Sequence, residues 1–151
     1  MKIYNLKEKP EYAKEYFELC AKEWGIYNNS NEFKEKIEVK VNCFLNNQID
    51  KIISVLILLD EKEMIGFISL FKYDGDERQD LTPWYATMCV KEKYRGKGYS
   101  KILNDAILIE AKNLGYNKVY LKSDLKNYYE KFGAKYIETL SNGENLYFIE
   151  L

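Results

Sequence analysis

Histidine is absent from the 151-residue chain, and that one absence excludes more chemistry than any other count. It removes Ser-His and Cys-His nucleophilic systems and histidine-ligated metal sites together. Acid–base work then falls to Tyr, Asp, Glu, Lys, Cys or water, and no metal is expected. An excess of either charge is also missing. The formal net charge is −1 with 31% charged residues, so nothing argues for a nucleic acid or a membrane surface as partner. Cysteine is scarce: Cys20, Cys43 and Cys89 are odd in number and unrelated in spacing. That pattern reads as reduced thiols in a cytoplasmic protein. Long hydrophobic runs are lacking too, since the longest, Ile52 to Leu59, is too short to cross a bilayer. No signal-peptide pattern is seen at the amino terminus. With no repeats, linkers or low-complexity tracts, residues 1–151 are expected to form one domain with a single sizeable core.

What the chain does have is a strongly patterned order of elements. Lys2 to Leu6 reads as a first strand. Pro10 opens a helix with Tyr12, Tyr16, Leu19 and Cys20 at helical spacing. A polar break from Gly25 to Asn31 follows, with Ser30 or Asn31 as the cap of a second helix. That helix carries Phe33, Ile37, Val41, Phe44 and Leu45 on one stripe. Ile52 to Leu59 reads as a strand buried on both faces. Asp60-Glu-Lys-Glu63 turns it back into Met64 to Phe71, an antiparallel hairpin in which Gly66 marks a bulge or close packing. After a polar loop holding Asp74, Asp76, Glu77 and Asp80, a fourth strand runs from Trp84 to Val90.

From Tyr99 a helix is expected with Ile102, Ala106 and Ile109 on one stripe and Leu103 and Ile107 beside it. Gly115 closes it as a left-handed cap. Lys118 to Lys122 then gives a strand parallel to the fourth. Ser123 or Asp124 is expected to cap a short helix bearing Leu125, Tyr128, Tyr129 and Phe132, closed by Gly133. Two strands, Lys135 to Leu140 and Asn145 to Leu151, complete a mixed α/β order, β-α-α-β-β-β-α-β-α-β-β.

The chain turns on Tyr85-Ala-Thr-Met-Cys-Val90 and the following Lys91-Glu-Lys-Tyr-Arg-Gly-Lys-Gly-Tyr-Ser100. A strand passing through a glycine-bearing loop into a helix is suited to an anion. The first helical N–H groups have no internal partner, and the helix dipole places partial positive charge there. Gly96 and Gly98 permit close approach, and Arg95 and Lys97 add cations. The stretch reads as a phosphate or pyrophosphate seat. A dinucleotide fingerprint would need a glycine where Lys101 stands, and a P-loop would need Ser or Thr where Gly98 follows Lys97.

Arg95-Gly-Lys-Gly-Tyr-Ser100 resembles the Arg/Gln-x-x-Gly-x-Gly/Ala loop of the GCN5-related N-acetyltransferases. Val90-x-x-x-Tyr94-Arg95-Gly96-x-Gly98 extends the match. Glu92 departs from a common proline, and Ser100 from the last small residue. Tyr128-Tyr-Glu-Lys-Phe-Gly-Ala134 is similar to the family's Leu-Tyr-Glu-Lys-Leu-Gly-Phe segment, and the element order above is that of the family's fold. The resemblance is sharpest from Trp84 to Tyr136.

That resemblance implies acetyl transfer from acetyl-CoA to the primary amine of a small molecule or peptide, by direct attack. Gly96, Lys97, Gly98, Tyr99 and Ser100 with Arg95 would hold the pyrophosphate. The edge of the fourth strand at Met88, Cys89 and Val90 would pair with the pantetheine arm, an N–H near Met88 or Cys89 acting as oxyanion donor. Tyr129 would be the general acid, with Tyr128 the adjacent fallback. An asparagine frequent seven residues before that tyrosine is Lys122 here, and Asn127 is a substitute. Trp24, Tyr27 and Phe33 would lie beside the acceptor, and burial preferences alone make them core or loop aromatics. Trp84 and Tyr85 would form an aromatic acceptor wall. Asp80 and Asp124 are the available bases. The acidic loop from Asp74 to Asp80 would draw a cationic acceptor, or simply be a solvated surface. Cys89 offers a covalent alternative, and a homodimer is a further family expectation. A non-catalytic acyl-CoA-binding module is the competing reading, separable by thiol release in the presence of amines.

Overall fold

A computed structural model describes residues 1–151. The chain builds one seven-stranded mixed sheet, in spatial order β1-β2-β3-β4-β5-β7-β6, with helices on both faces. The strands are β1 (Lys2–Asn5), β2 (Ile52–Asp60), β3 (Glu63–Phe71), β4 (Trp84–Val90), β5 (Lys118–Ser123), β6 (Lys135–Thr139) and β7 (Asn145–Glu150). The helices are α1 (Ala13–Trp24), α2 (Asn31–Leu45) and α3 (Tyr99–Asn113). Every pairing is antiparallel except β4 with β5.

Because side chains alternate across a strand, β2 feeds two cores at once. Val55, Ile57 and Leu59 pack with Tyr16, Phe17, Ile37 and Phe44 of α1 and α2. Leu56 and Leu58 pack instead with Leu103, Ile107 and Ala111 of α3. The buried stripe of α3 is therefore not the one expected. Ile102 and Ile109 lie on the exposed side at 42% and 62%, because the residues one position on reach the sheet. The α2 cap resolves to Ser30, whose Oγ accepts the Phe33 N–H at 3.1 Å. The C-terminus of α3 closes as a Schellman motif: Gly115, at φ +96°, donates to Lys112, and Tyr116 donates to Ala111.

Two bulges shape the centre of the sheet. Leu58 faces Gly66 and Leu59 faces Met64, so Ile65 is the extra residue on β3. On β4, Phe67 faces Cys89 and Ser69 faces Ala86, which leaves Thr87 and Met88 opposite Ile68 alone. Thr87 sits at φ +49°, an unusual conformation for a β-branched residue. Its hydroxyl donates to Ser69 Oγ at 2.6 Å, and Ser69 Oγ shares a 2.7 Å bond with the buried Tyr16 phenol. That buried chain satisfies the polar groups and holds the bulge.

The expected helix around residues 124–133 is a correction. Only one 3-10 turn forms, Tyr129–Phe132, preceded by a loop in which Asn127 takes φ +58°. The helical spacing of Leu125, Tyr128, Tyr129 and Phe132 serves an aromatic cluster, with Tyr128 edge-on to Tyr129 at 4.8 Å and to Phe132 at 5.8 Å.

Gly66 is the tightest point where β3 meets β4. A Cβ there would lie 2.4 Å from the Cys89 carbonyl oxygen and 3.2 Å from Leu103. Backbone cannot yield as a side chain can, so Gly66→Ala is expected to destabilise the fold by about 2 kcal/mol or more. Urea unfolding checks this, and a midpoint equal to wild type would contradict it.

Candidate active site

The β4 bulge separates β4 from β5. The two parallel strands share a single register pair, Trp84 with Tyr120, and beyond it Met88 to Val90 leave one edge of β4 unpaired. The gap opens onto a cavity of about 410 Å³. Its walls are Met88, Cys89 and Val90 on one side, Tyr94 to Gly96 and Gly98 to Ser100 at the end, and Leu125, Tyr128 and Tyr129 opposite.

At the end of this cavity the loop from Lys91 to Gly98 delivers the mouth of α3. Gly96 and Gly98 both occupy the left-handed region, at φ +77° and +83°, and a Cβ at either would meet nothing within 4 Å. The backbone N–H groups of Gly96, Lys97, Gly98, Tyr99 and Ser100 bond to no acceptor in the chain. Five successive free donors at a helix start form an anion cradle. A pyrophosphate fits it in charge and in space. Arg95 is anchored beside it, its Nε donating to the Val90 carbonyl at 2.8 Å and its guanidinium 3.3 Å from Glu23. Lys91 ties the loop to α1 through Glu15 at 2.8 Å. Lys97 makes no ion pair and rests 5.9 Å over the Tyr94 ring.

A second cavity, of about 590 Å³, lies on the other side of the β4–β5 gap. Tyr85, Thr87, Leu121 and Ser123 line it together with Asp74, Asp124 and Glu144. Met88, Leu125 and Tyr129 line both cavities. The Tyr129 phenol thus stands at their junction, edge-on to Tyr85 at 5.9 Å. Burial, with the Tyr128 phenol second, pushes Tyr129 up to about 12. It stays protonated across any ordinary pH.

Several residues fall elsewhere than the sequence suggested. Trp84 is fully buried with Phe71, Ala86, Leu140 and Leu146, and its indole N–H donates to the Leu81 carbonyl at 2.8 Å. It belongs to the core and forms no acceptor wall. Asp80 is exposed and bonded to Arg78 at 3.0 Å, outside both cavities. That ion pair lowers its pKa and makes it a poor base. Tyr27 is 40% exposed, stacked edge-on against Phe33 and lining neither cavity. Trp24 does line the second cavity, as does Tyr85. The Cys89 thiol is pushed up, first by burial and then by Glu23, which disfavours a thiolate nucleophile.

Of the carboxylates that face the second cavity, the sequence names Asp124 as a base and Asp74 within the acidic loop, and only Glu144 was missed. Asp74, from the loop after β3, and Glu144, from the turn before β7, converge although they are far apart in the chain. Burial raises the Asp74 pKa, Lys122 and Lys51 oppose the rise, and Glu144 adds to it. Lys122, at the position of the absent asparagine, donates to the Asp74 carbonyl at 2.6 Å and pins this loop to β5. Only the acidic composition of the Asp74–Asp80 loop hinted at such a wall.

Comparison with known proteins places this arrangement. The chain matches the model of the acetyltransferase (GNAT) family over residues 11–134. No curated protein matches it. Among solved structures it is similar to an aminoglycoside 6'-acetyltransferase type Ii, at 18% identity and TM-score 0.70, covering 99% of this chain and 97% of that one. It is also similar to the PaiA N-acetyltransferase of Thermoplasma acidophilum in complex with coenzyme A, at 21% identity, TM-score 0.58 and full coverage of both chains (100% and 100%). A GNAT acetyltransferase of Elizabethkingia anophelis with acetyl-CoA bound aligns at 18% identity and TM-score 0.54, over 81% of this chain and 84% of that one. With the family model spanning most of its length and the sheet, gap and anion cradle in place, the chain belongs to the GNAT family of acetyl-CoA-dependent acetyltransferases.

Proposed function

We propose that the protein transfers the acetyl group of acetyl-CoA to the primary amine of a small molecule, with Tyr129 as the donor at the departing sulfur. The observation that carries this reading is the junction of the two cavities at Met88, Leu125 and Tyr129. One cavity suits the cofactor and the other suits an amine. Acetyl-CoA supplies the activated acetyl thioester.

The residues of the chain divide the remaining work. The N–H groups of Gly96, Lys97, Gly98, Tyr99 and Ser100, with Arg95, hold the pyrophosphate. The free edge of β4 from Met88 to Val90 aligns the amide-bearing arm as a neighbouring strand would be aligned. An N–H on this edge at Met88 or Cys89 offers a hydrogen bond to a carbonyl oxygen gaining negative charge. No enzyme nucleophile is needed, consistent with the raised Cys89 thiol.

Tyr129 acts by hydrogen bonding more than by surrendering its proton. A phenol at about 12 opposite a thiol near 8.5 makes complete transfer uphill by roughly 5 kcal/mol. A neutral O–H aimed at a sulfur gaining charge still stabilises it where charge develops. The proton released by the amine goes to Asp74, with Asp124 also facing the acceptor cavity. An alkylammonium has a pKa of about 10, so a carboxylate raised by burial narrows the gap it has to cross.

Three outcomes are expected. Tyr129→Phe should slow thiol release by about tenfold or more while the CoA Kd stays near wild type; unaltered turnover would remove Tyr129 from the reaction. Gly98→Asp, which sets bulk and negative charge at a left-handed position in the cradle, should abolish CoA binding by calorimetry. Retained affinity would discredit the cradle. For Asp74 the sign follows from its raised pKa: the base is active when ionised, so kcat/KM should rise with pH on a limb above the ordinary carboxylate range. It should then level off well below the amine's own pKa. In Asp74→Asn the limb should shift upward, so that kcat/KM keeps climbing toward about pH 10. An unchanged profile would exclude Asp74 as the base.

A further inference from the structure

The acceptor cavity does not end at Tyr129 and the acidic wall. It continues past Trp24, Lys51, Phe71 and Thr87 into a third cavity of about 370 Å³, between α1, α2 and the sheet. This extension is apolar, with Phe17, Phe33, Ile37 and Ile52 among its walls, and no carboxylate lines it. Its charged residues are all lysines: Lys36, Lys40 and Lys51. Lys36 is drawn to Glu32 at 3.3 Å, whereas neither Lys40 nor Lys51 forms an ion pair. Lys51 lies at the passage between the two cavities, its ammonium 4.9 Å from the Phe71 ring centre.

The continuous groove therefore has a fixed polarity. Asp74, Asp124 and Glu144 stand where the reacting amine must reach Tyr129. Lys51 stands at the passage out of this acidic end, and beyond it an apolar stretch with Phe33 and Ile37 is lined by Lys40. A diamine or an oligocationic sugar would set its second ammonium against Lys40 and Lys51, where like charges repel. A neutral alkylamine would leave those cations unmatched.

Resting on the acetyltransferase reading above, we propose that the acceptor is a primary amine on an apolar arm that ends in a carboxylate. Its ammonium faces Asp74, Asp124 and Glu144, its arm lies against Phe33 and Ile37, and its carboxylate pairs with Lys40 and Lys51. The two lysines, neither held in an ion pair, thereby set acceptor specificity, Lys51 from the passage and Lys40 from the third cavity.

The test compares three amines of matched chain length, ω-aminooctanoate, octylamine and diaminooctane, by thiol release at saturating acetyl-CoA. The wild type should favour ω-aminooctanoate over both others by about tenfold in kcat/KM. In the Lys40→Glu/Lys51→Glu double variant the order should invert in favour of diaminooctane, with acetyl-CoA affinity, measured in parallel, reporting that the variant is folded. A wild type that prefers diaminooctane, or treats all three alike, overturns the proposal and leaves the transferase reading standing. So does a double variant that keeps the wild-type order. Absence of thiol release with every amine, octylamine included, overturns the transferase reading and this proposal with it.

Discussion

The structure depends on a strand that fails to pair. One extra residue at Thr87, held at φ +49° by its hydroxyl bond to Ser69, turns the end of β4 away from β5. Two parallel strands that would otherwise zip together share only Trp84 with Tyr120. Unpaired backbone in a protein interior is costly unless something else satisfies it. Here the edge of β4 from Met88 to Val90 pairs with no strand beyond it, its Val90 carbonyl taken by Arg95 Nε, and it faces a cavity that ends at five free N–H groups. The fold thus carries unpaired main-chain groups from a strand edge to a helix mouth, and an amide-bearing diphosphate is the complement of such an arrangement.

The same gap explains why two cavities meet at one phenol. Helices α1 and α2 cover one face of the sheet and α3 the other, and the cofactor and acceptor cavities share Met88, Leu125 and Tyr129 where β4 and β5 part. The turn Tyr129–Phe132 closes the far side of that opening, the rings of Tyr85 and Tyr128 meeting Tyr129 edge-on and Phe132 lying tilted against it. This aromatic packing both orients the hydroxyl and desolvates it, which is why its pKa rises. The acidic wall is held in part by Lys122, whose bond to the Asp74 carbonyl ties the loop to β5.

Much of this was legible in the residues, because local patterns dictate it. The alternation of β2 and β3, the Ser30 cap, the Gly115 closure and the Gly96–Gly98 loop follow from short-range rules. Gly66 was marked for bulge or close packing, and it shows both. What escaped was set by contacts distant in the chain. Leu125, Tyr128, Tyr129 and Phe132 have helical spacing, yet their rings pack around a 3-10 turn after Asn127 leaves the helical region. Trp84 is expected in an aromatic acceptor wall, but Phe71, Leu140 and Leu146, remote in sequence, enclose it. Asp74 and Glu144 become one wall only after β5 and β7 pair, and no local pattern announces that. The choice of Asp80 as a base failed for a similar reason, since its loop turns it toward Arg78.

The central claim is that free main-chain donors on β4 and at the start of α3 together receive coenzyme A. Amide hydrogen exchange measured with and without coenzyme A tests it most directly. The account predicts new protection at the amides of Gly96 to Ser100 and at the gap-facing amides of Met88 and Val90, because those donors gain partners only when the ligand binds. Protection confined to other segments, with these amides exchanging as fast as in the free protein, would contradict it.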